Sequence, residues 1–321
     1  MGAMTDDVMT TRTDSLDAAT DAPTDAATPA ATPAPTHAPA DADAPANADG
    51  GETSRTSPDR TVDPSIDDAS LAAHVVQRAA ELAAQMRAEG LETEFKTSIS
   101  DVVTAADRAA EELVVSELAR LRPDDGILGE EGSAKEGTSG RTWVIDPVDG
   151  TYNFTSGSDY WCSAVALVEG SPDSPDRVIL GAVHRTAGSA TWVGGPDLPT
   201  TRTDERGIVE LPPLADTDAG ALSVGTYLHS ARLDDDALVA PWLEAAGKFA
   251  TWRMLGSASV DLAGVAEGRI GAWFQHSVAS WDWLPGHALV AGVGGASALV
   301  DGWRIAGPAS VVAELAETLK K

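Results

Sequence analysis

One cysteine, Cys162, stands in 321 residues, so no internal disulfide can form. Basic residues are scarce: 22 Lys and Arg face 50 Asp and Glu, for a net charge of −28. That deficit argues against nucleic acid as the main partner, because a phosphate backbone is held by neutralising it. It suits a protein that gathers cations. Tyr and Phe are few beside nine Trp, most of which are expected in a core. No apolar run approaches the ~20 residues of a membrane-spanning helix. The N-terminus has neither the basic region nor the apolar stretch of a signal peptide. A cytoplasmic protein without a membrane partner is therefore expected.

Residues 1–66 are built from Ala, Thr, Pro and Asp, with 12 acidic and 3 basic side chains and no apolar period. Such a segment cannot bury enough apolar surface to offset the entropy of ordering it, and it reads as a disordered acidic tail. From Ser70 the texture changes: LAAHVVQRAAELAAQMRAEG has helical spacing and stops at Gly90. A second amphipathic helix follows the polar start of TSISDVVTAADRAAEELVVSELARLRP, with Pro123 just past its end. GILGEEG, RTWVIDP, WCSAVALVEG, RVILGAVHR and SATWVGG read as strands, and Thr200–Gly220 as a polar loop. Beyond it, strands in ALSVGTY and IGAWFQ alternate with helices in LDDDALVAPWLEAAGK, SASVDLAGVAEG and WDWLPGHALVAGVGG, before a closing strand pair in ASALVDG and WRIAG. The pattern predicts a layered α/β protein in two halves, 67–215 and 216–321.

The chemistry centres on WVIDPVDGTYNF, Trp143 to Phe154. A buried strand runs into Asp146, Pro147 is expected to stop it, and the next turn brings Asp149 back towards Asp146. Two carboxylates so close repel each other unless a cation sits between them, and a hard divalent metal is the usual answer. Gly150 and Thr151 open a helix-compatible run whose exposed N–H groups suit a phosphate. Asp-Pro and Asp-Gly are also ordinary turn formers. Two further segments weigh against that plain reading: ILGEEG sets Glu130 and Glu131 at the end of another apolar run, and SWDWLPGHALV sets Asp282 near a helix start.

Together DVVTAAD, GEE, DPVDGT and WDWLPG, in this order and spacing, resemble the inositol monophosphatase family of Mg²⁺-dependent, lithium-sensitive sugar phosphatases, from about residue 71 to the C-terminus. The resemblance implies an αβαβα sandwich and a metal-assisted phosphatase that forms a homodimer. It assigns Glu130, Asp146 and the Val148 carbonyl to one Mg²⁺ and Asp146, Asp149 and Asp282 to a second, with a third, weaker ion near Glu130. Gly150 and Thr151 would grip the phosphate. Thr151, paired with Asp107, would orient the attacking water together with Glu130. Lys96 falls where the family carries a mobile-loop lysine. Two ions in such a site stabilise the attacking and leaving oxygens of an in-line displacement, and no covalent phosphoenzyme is needed.

Read without the resemblance, Asp107 is one more carboxylate on a solvated helix face, Cys162 a small buried hydrophobe, and His287 a packing residue. Substrate contacts fall to Gly256, Ser257 and Ala258 of GSAS, to Asp149, and to Gln275, seven residues before Asp282, where inositol-specific members have a glutamate. Trp273 and His276 are expected beside Gln275 on the pocket wall. Gln275 can donate and accept hydrogen bonds but carries no charge. It suits a polyol better than a cationic alcohol, which makes inositol monophosphate the first candidate substrate and histidinol phosphate the second, ahead of fructose bisphosphate and phosphoadenosine phosphates. Pro285 stands where many members have alanine, and a proline in the first helical turn is tolerated. A regulatory or binding protein on the same fold, recruiting a partner through its tail, is the reading from another class.

Overall fold

The computed structural model describes residues 62–90, 93–95 and 102–320. The proposed tail lies outside them up to residue 61, as does Lys96. The tail's expected boundary is too late, because Val62 and Ile66 pack on the first core and the Ile66 carbonyl accepts a hydrogen bond from Arg122.

Two helices open the fold, α1 (Asp68–Glu89) and α2 (Ala105–Leu121), joined through a short antiparallel pair, β1 (Thr93–Phe95) and β2 (Val102–Thr104). Asp67 caps α1 by accepting from the Ser70 N–H. Thr104 and Asp107 form a reciprocal capping box on α2, which satisfies two otherwise orphaned N–H groups. Both helices lay their Leu, Val and Ala stripes on one face of an eight-stranded sheet.

That sheet contains β3 (Gly126–Gly129), β4 (Ala134–Lys135), β5 (Arg141–Asp149), β6 (Cys162–Ser171), β7 (Ser174–Arg185), β8 (Ala190–Gly195), β9 (Leu198–Asp204) and β10 (Gly207–Glu210), in the order 10-9-8-7-6-5-3-4. All neighbours are antiparallel except β3 and β5, which run parallel. The hairpin β9–β10 occupies much of the stretch expected to be a loop. Its edge strand β10 is exposed throughout, and β9 is mostly half-buried with Thr200 as its one buried residue, so the hairpin lacks the apolar alternation that marks a strand on a core.

A one-turn helix, α3 (Thr151–Thr155), follows β5. The second sheet holds β11 (Ser223–Tyr227), β12 (Thr251–Arg253), β13 (Ala272–His276), β14 (Ala296–Val300) and β15 (Trp303–Gly307), in the order 12-11-13-15-14. Its helices are α4 (Asp236–Ala246), α5 (Ala258–Ala266), α6 (Ser280–Gly292) and α7 (Ala309–Leu319). The terminal α7 lies beyond the expected closing strand pair and buries Val311, Val312, Leu315 and Leu319. Helices α5 and α6 fill the space between the sheets, sharing a core with Val144, Ala164, Trp192, Trp273 and Ala306. Helices α4 and α7 cover the far face of the second sheet. The layers are therefore α1α2, sheet, α5α6, sheet, α4α7: the αβαβα sandwich.

Two local expectations need correction. Pro147 does not end β5; the strand continues to Asp149 through a register shift against β6. A bulge is where a strand tolerates a residue without an N–H, and the Pro147 carbonyl takes the Ser163 hydroxyl at 2.5 Å. Pro285 sits in the second turn of α6, not the first, because the helix already begins at Ser280. Its carbonyl lies against Gly181 of β7, where even a Cβ would collide. This close approach seats α6 on the first sheet.

Candidate active site

Strand β3 ends at Gly129, opposite Ile145 of its parallel neighbour β5. The next residues along each strand are Glu130 and Asp146, so the pairing itself delivers two carboxylates to one edge. Glu111, buried on α2, holds the turn that carries Glu130 by accepting from the Glu131 and Ser133 N–H groups at 2.8 and 2.9 Å. Glu111 was legible only as a helix carboxylate expected in solvent.

The bulge in β5 turns Asp149 into the same space. Asp282, in the first turn of α6, arrives from the second half of the chain. Carboxylate oxygens of Asp146, Asp149 and Asp282 lie within 4.8 Å of one another. Both oxygens of Asp146 are buried without a hydrogen-bond partner. Burial pushes its pKa well up, and the charges of Glu130, Asp149 and Asp282 push it further. Asp282 is raised by its own burial and then by Asp149 and Glu130. An ionised carboxylate out of water costs several kcal/mol, and here the surrounding groups repeat its charge. The donor set consists of hard oxygens that want a hard divalent cation, so the residues present fit a metal.

Asp149 is treated differently from Asp146. The N–H groups of Ala258 and Ser259, at the start of α5, donate to it at 3.2 and 2.5 Å. These bonds offset part of the rise that burial imposes on its pKa. The helix start of GSAS is thus occupied by a protein carboxylate, and Asp149 ties the first half of the chain to the second.

Gly150 follows with φ 96° and ψ 42°, a left-handed conformation suited to glycine. A Cβ there would meet the Gly256 carbonyl at 3.0 Å. Helix α3 is a single turn, so an anion at Gly150 and Thr151 would be held by individual N–H groups more than by a macrodipole. The Thr151 hydroxyl lies 3.0 Å from the Val148 carbonyl and 3.3 Å from Asp107 Oδ1. Asp107 is 1% exposed, which overturns the solvated reading. Its second oxygen accepts from the Thr104 N–H and hydroxyl, yet burial prevails and raises its pKa.

One cavity of about 670 Å³ gathers Glu130, Asp146, Val148, Asp149, Gly150, Thr151, Gly256, Ser257, Ala258, Gln275 and Asp282. Two expected wall residues are absent from it. Trp273 is fully buried and stacks on Trp283; His276 turns to the other side of β13, against Trp303 and the Asp301 carbonyl. His287 stacks on Trp283 and bonds Ser297, a packing role. Cys162 is buried beneath Asp149 and Ser257.

Asp261, on α5, also lines this cavity and was not anticipated. Its carboxyl accepts the Tyr160 hydroxyl at 2.6 Å, and burial raises its pKa to about 7. The available signal was an acidic residue inside an otherwise apolar helix.

Comparison with known proteins agrees with this geometry. The inositol monophosphatase family profile matches residues 65–320. The inositol-1-monophosphatase SuhB of Mycobacterium tuberculosis (strain H37Rv) is 33% identical over 229 residues, 68% of this chain and 74% of that one. The solved structure of Mycobacterium tuberculosis SuhB superposes with a TM-score of 0.66 at 29% identity, covering 78% of this chain and 94% of that chain. The Nus factor SuhB of Xylella fastidiosa is 34% identical over 201 residues, 61% of this chain and 68% of that protein. The chain belongs to the inositol monophosphatase family and, with it, to the phosphoric monoester hydrolases.

Proposed function

We propose that the protein is a Mg²⁺-dependent phosphatase of small phosphate monoesters, with inositol monophosphate as the leading substrate. The observation that carries this reading is Asp146, buried with both oxygens unpartnered among three other carboxylates and next to the Thr151–Asp107 pair. Glu130, Asp146 and the Val148 carbonyl would hold one ion, and Asp146, Asp149 and Asp282 another. When bound, divalent cations supply charge neutralisation and a water acidic enough to attack phosphorus. The chain does the rest. Gly150 and Thr151 present N–H groups to the phosphoryl oxygens. A water against the Thr151 hydroxyl can pass its proton along Thr151 to Asp107, whose raised pKa fits it to accept. Glu130, in the same cavity, would help to orient that water.

Gln275 and the turn from Gly256 to Ala258 would contact the alcohol's hydroxyls, and the neutral amide of Gln275 favours a polyol over a cationic alcohol. Lithium inhibition, a homodimer and a cytoplasmic location are carried over with the family. The test is phosphate release with Mg²⁺ from inositol 1-phosphate, histidinol phosphate, fructose 1,6-bisphosphate and 3′-phosphoadenosine 5′-phosphate, by wild type and Asp146→Asn. Release that vanishes in the variant supports the mechanism, and the preferred ester names the substrate. No release from any ester while Mg²⁺ still binds would favour a regulatory protein on this fold, the second reading, which the Nus factor name of the Xylella relative supports.

A further inference from the structure

The carboxylate cavity opens into a mouth of different chemistry. Strands β12, β11 and β13 run parallel, and the carboxyl ends of parallel strands are where α/β folds place ligands. In this order those ends bring up Met254 with Leu255, then Tyr227, then Gln275, and Tyr227 is the register partner of Gln275. Tyr152 of α3 lines the same cavity from the first half of the chain. Ten large apolar side chains are exposed among the described residues, and four of them, Tyr152, Tyr227, Met254 and Leu255, line this one cavity. Exposed apolar groups gathered in one concavity mark a binding surface, whereas scattered ones mean little. The Tyr227 ring is braced edge-on by His229, centroids 6.4 Å apart. The His229 ring is fixed in turn by the Ala231 N–H, which donates to its Nδ1.

No Lys or Arg lines the cavity among the described residues. Its volume of about 670 Å³ is that of a pocket for a drug-sized ligand, more than a phosphate and one polyol ring fill.

We infer that Tyr227, Met254 and Leu255 form an apolar extension of the substrate site, which takes a ring or hydrocarbon face of the alcohol beyond the group held at Gln275. The substrate is then a monoester of an alcohol with both polar and apolar surface. This rests on the phosphatase reading and narrows its substrate class.

The experiment compares kcat/KM with Mg²⁺ for 2-phenylethyl phosphate and ethyl phosphate, two esters with the same reacting centre. Wild type is expected to prefer the phenylethyl ester by about tenfold or more, the scale of added apolar contact in a pocket. Tyr227→Ala and Met254→Ala, both at solvent-exposed positions, are expected to bring the ratio towards one. A wild-type ratio near one, or a preference that survives both substitutions, overturns the extension. If wild type releases phosphate from neither ester but does so from inositol 1-phosphate, the phosphatase reading stands; if it releases none from any of them, that reading falls. Calorimetry with 2-phenylethylphosphonate and ethylphosphonate then decides the extension separately: about tenfold tighter binding of the aromatic analogue, lost in Tyr227→Ala, supports it, and equal binding refutes it.

Discussion

At Asp146 the same burial that prepares a metal site also burdens the metal-free fold. The carboxyl is 1% exposed with neither oxygen partnered, and its pKa is raised. A raised carboxylate pKa means that the folded state binds a proton more tightly than the unfolded chain, so stability falls as pH rises from the ordinary carboxylate value towards the raised one and stays lost above it. Asp146→Asn is therefore expected to melt at a higher temperature than wild type without divalent cation and to lose most of the rise that Mg²⁺ gives wild type. Its turnover should fall by more than about 100-fold, the scale reported for groups that only orient a metal's ligands. Thermal melts with and without Mg²⁺, beside a phosphate-release assay, check this. An unchanged Mg²⁺-induced rise would remove Asp146 from the ligand set. The residues of this site were legible because DPVDGT, GEE and WDWLPG are short, local and chemically distinctive. Asp107 was legible only through DVVTAAD and the resemblance it carries, and Glu111 not at all: on a helix, burial depends on what the neighbouring layer covers, and both are buried here.

Among elements, the decisive contact joins α3 to the turn before α5. Asn153 Nδ2 donates to the carbonyls of Tyr160, Leu255 and Gly256 at 2.9, 2.7 and 3.3 Å. One side chain of the first half thus fixes the Gly256–Ala258 turn of the second. Asn153→Ala is expected to raise KM by about tenfold with a smaller change in kcat, while the Mg²⁺-induced rise in melting temperature stays intact. Steady-state kinetics set against those melts separates this from general unfolding, which would lower both. A second element-level link is His184 on β7. The Thr191 hydroxyl accepts from Gln77 of α1 and shares a 2.8 Å hydrogen bond with His184 Nδ1. Burial lowers the His184 pKa to about 4 from 6.5. Because the folded value lies below the unfolded one, this stability is complete above about pH 6.5 and is lost as pH falls towards 4. Relative to His184→Gln, wild type should lose on the order of 2 kcal/mol between pH 7 and pH 4.5, measured by urea denaturation at both values. Equal losses would show that His184 titrates normally. Helices α1, α2, α5 and α6 were readable from apolar periodicity. The β9–β10 hairpin was not, because β10 is exposed throughout and the one residue β9 buries is a threonine, so neither strand shows an apolar period.

For the whole molecule, the family match begins at residue 65 and the compact unit at Arg60. A chain beginning at Arg60 is expected to keep the kcat/KM of the full-length protein; a loss beyond about tenfold, well outside the cost of a remote surface change, would give the acidic segment a part in turnover. Val62 and Ile66 must stay, since both cover α1 and α2. The amino-acid sequence by itself determined the layered α/β class, the family and the carboxylates proposed to hold metal, since each is written in local pattern and short motif. Only the tertiary structure decided which carboxylates are bare and which are satisfied. Asp146 and Asp149 are three positions apart in the motif, yet α5 supplies N–H donors to Asp149 alone. Nor could the sequence show that Tyr227, Met254 and Gln275 share one wall. They meet there because three parallel strands, far apart along the chain, end at the same edge.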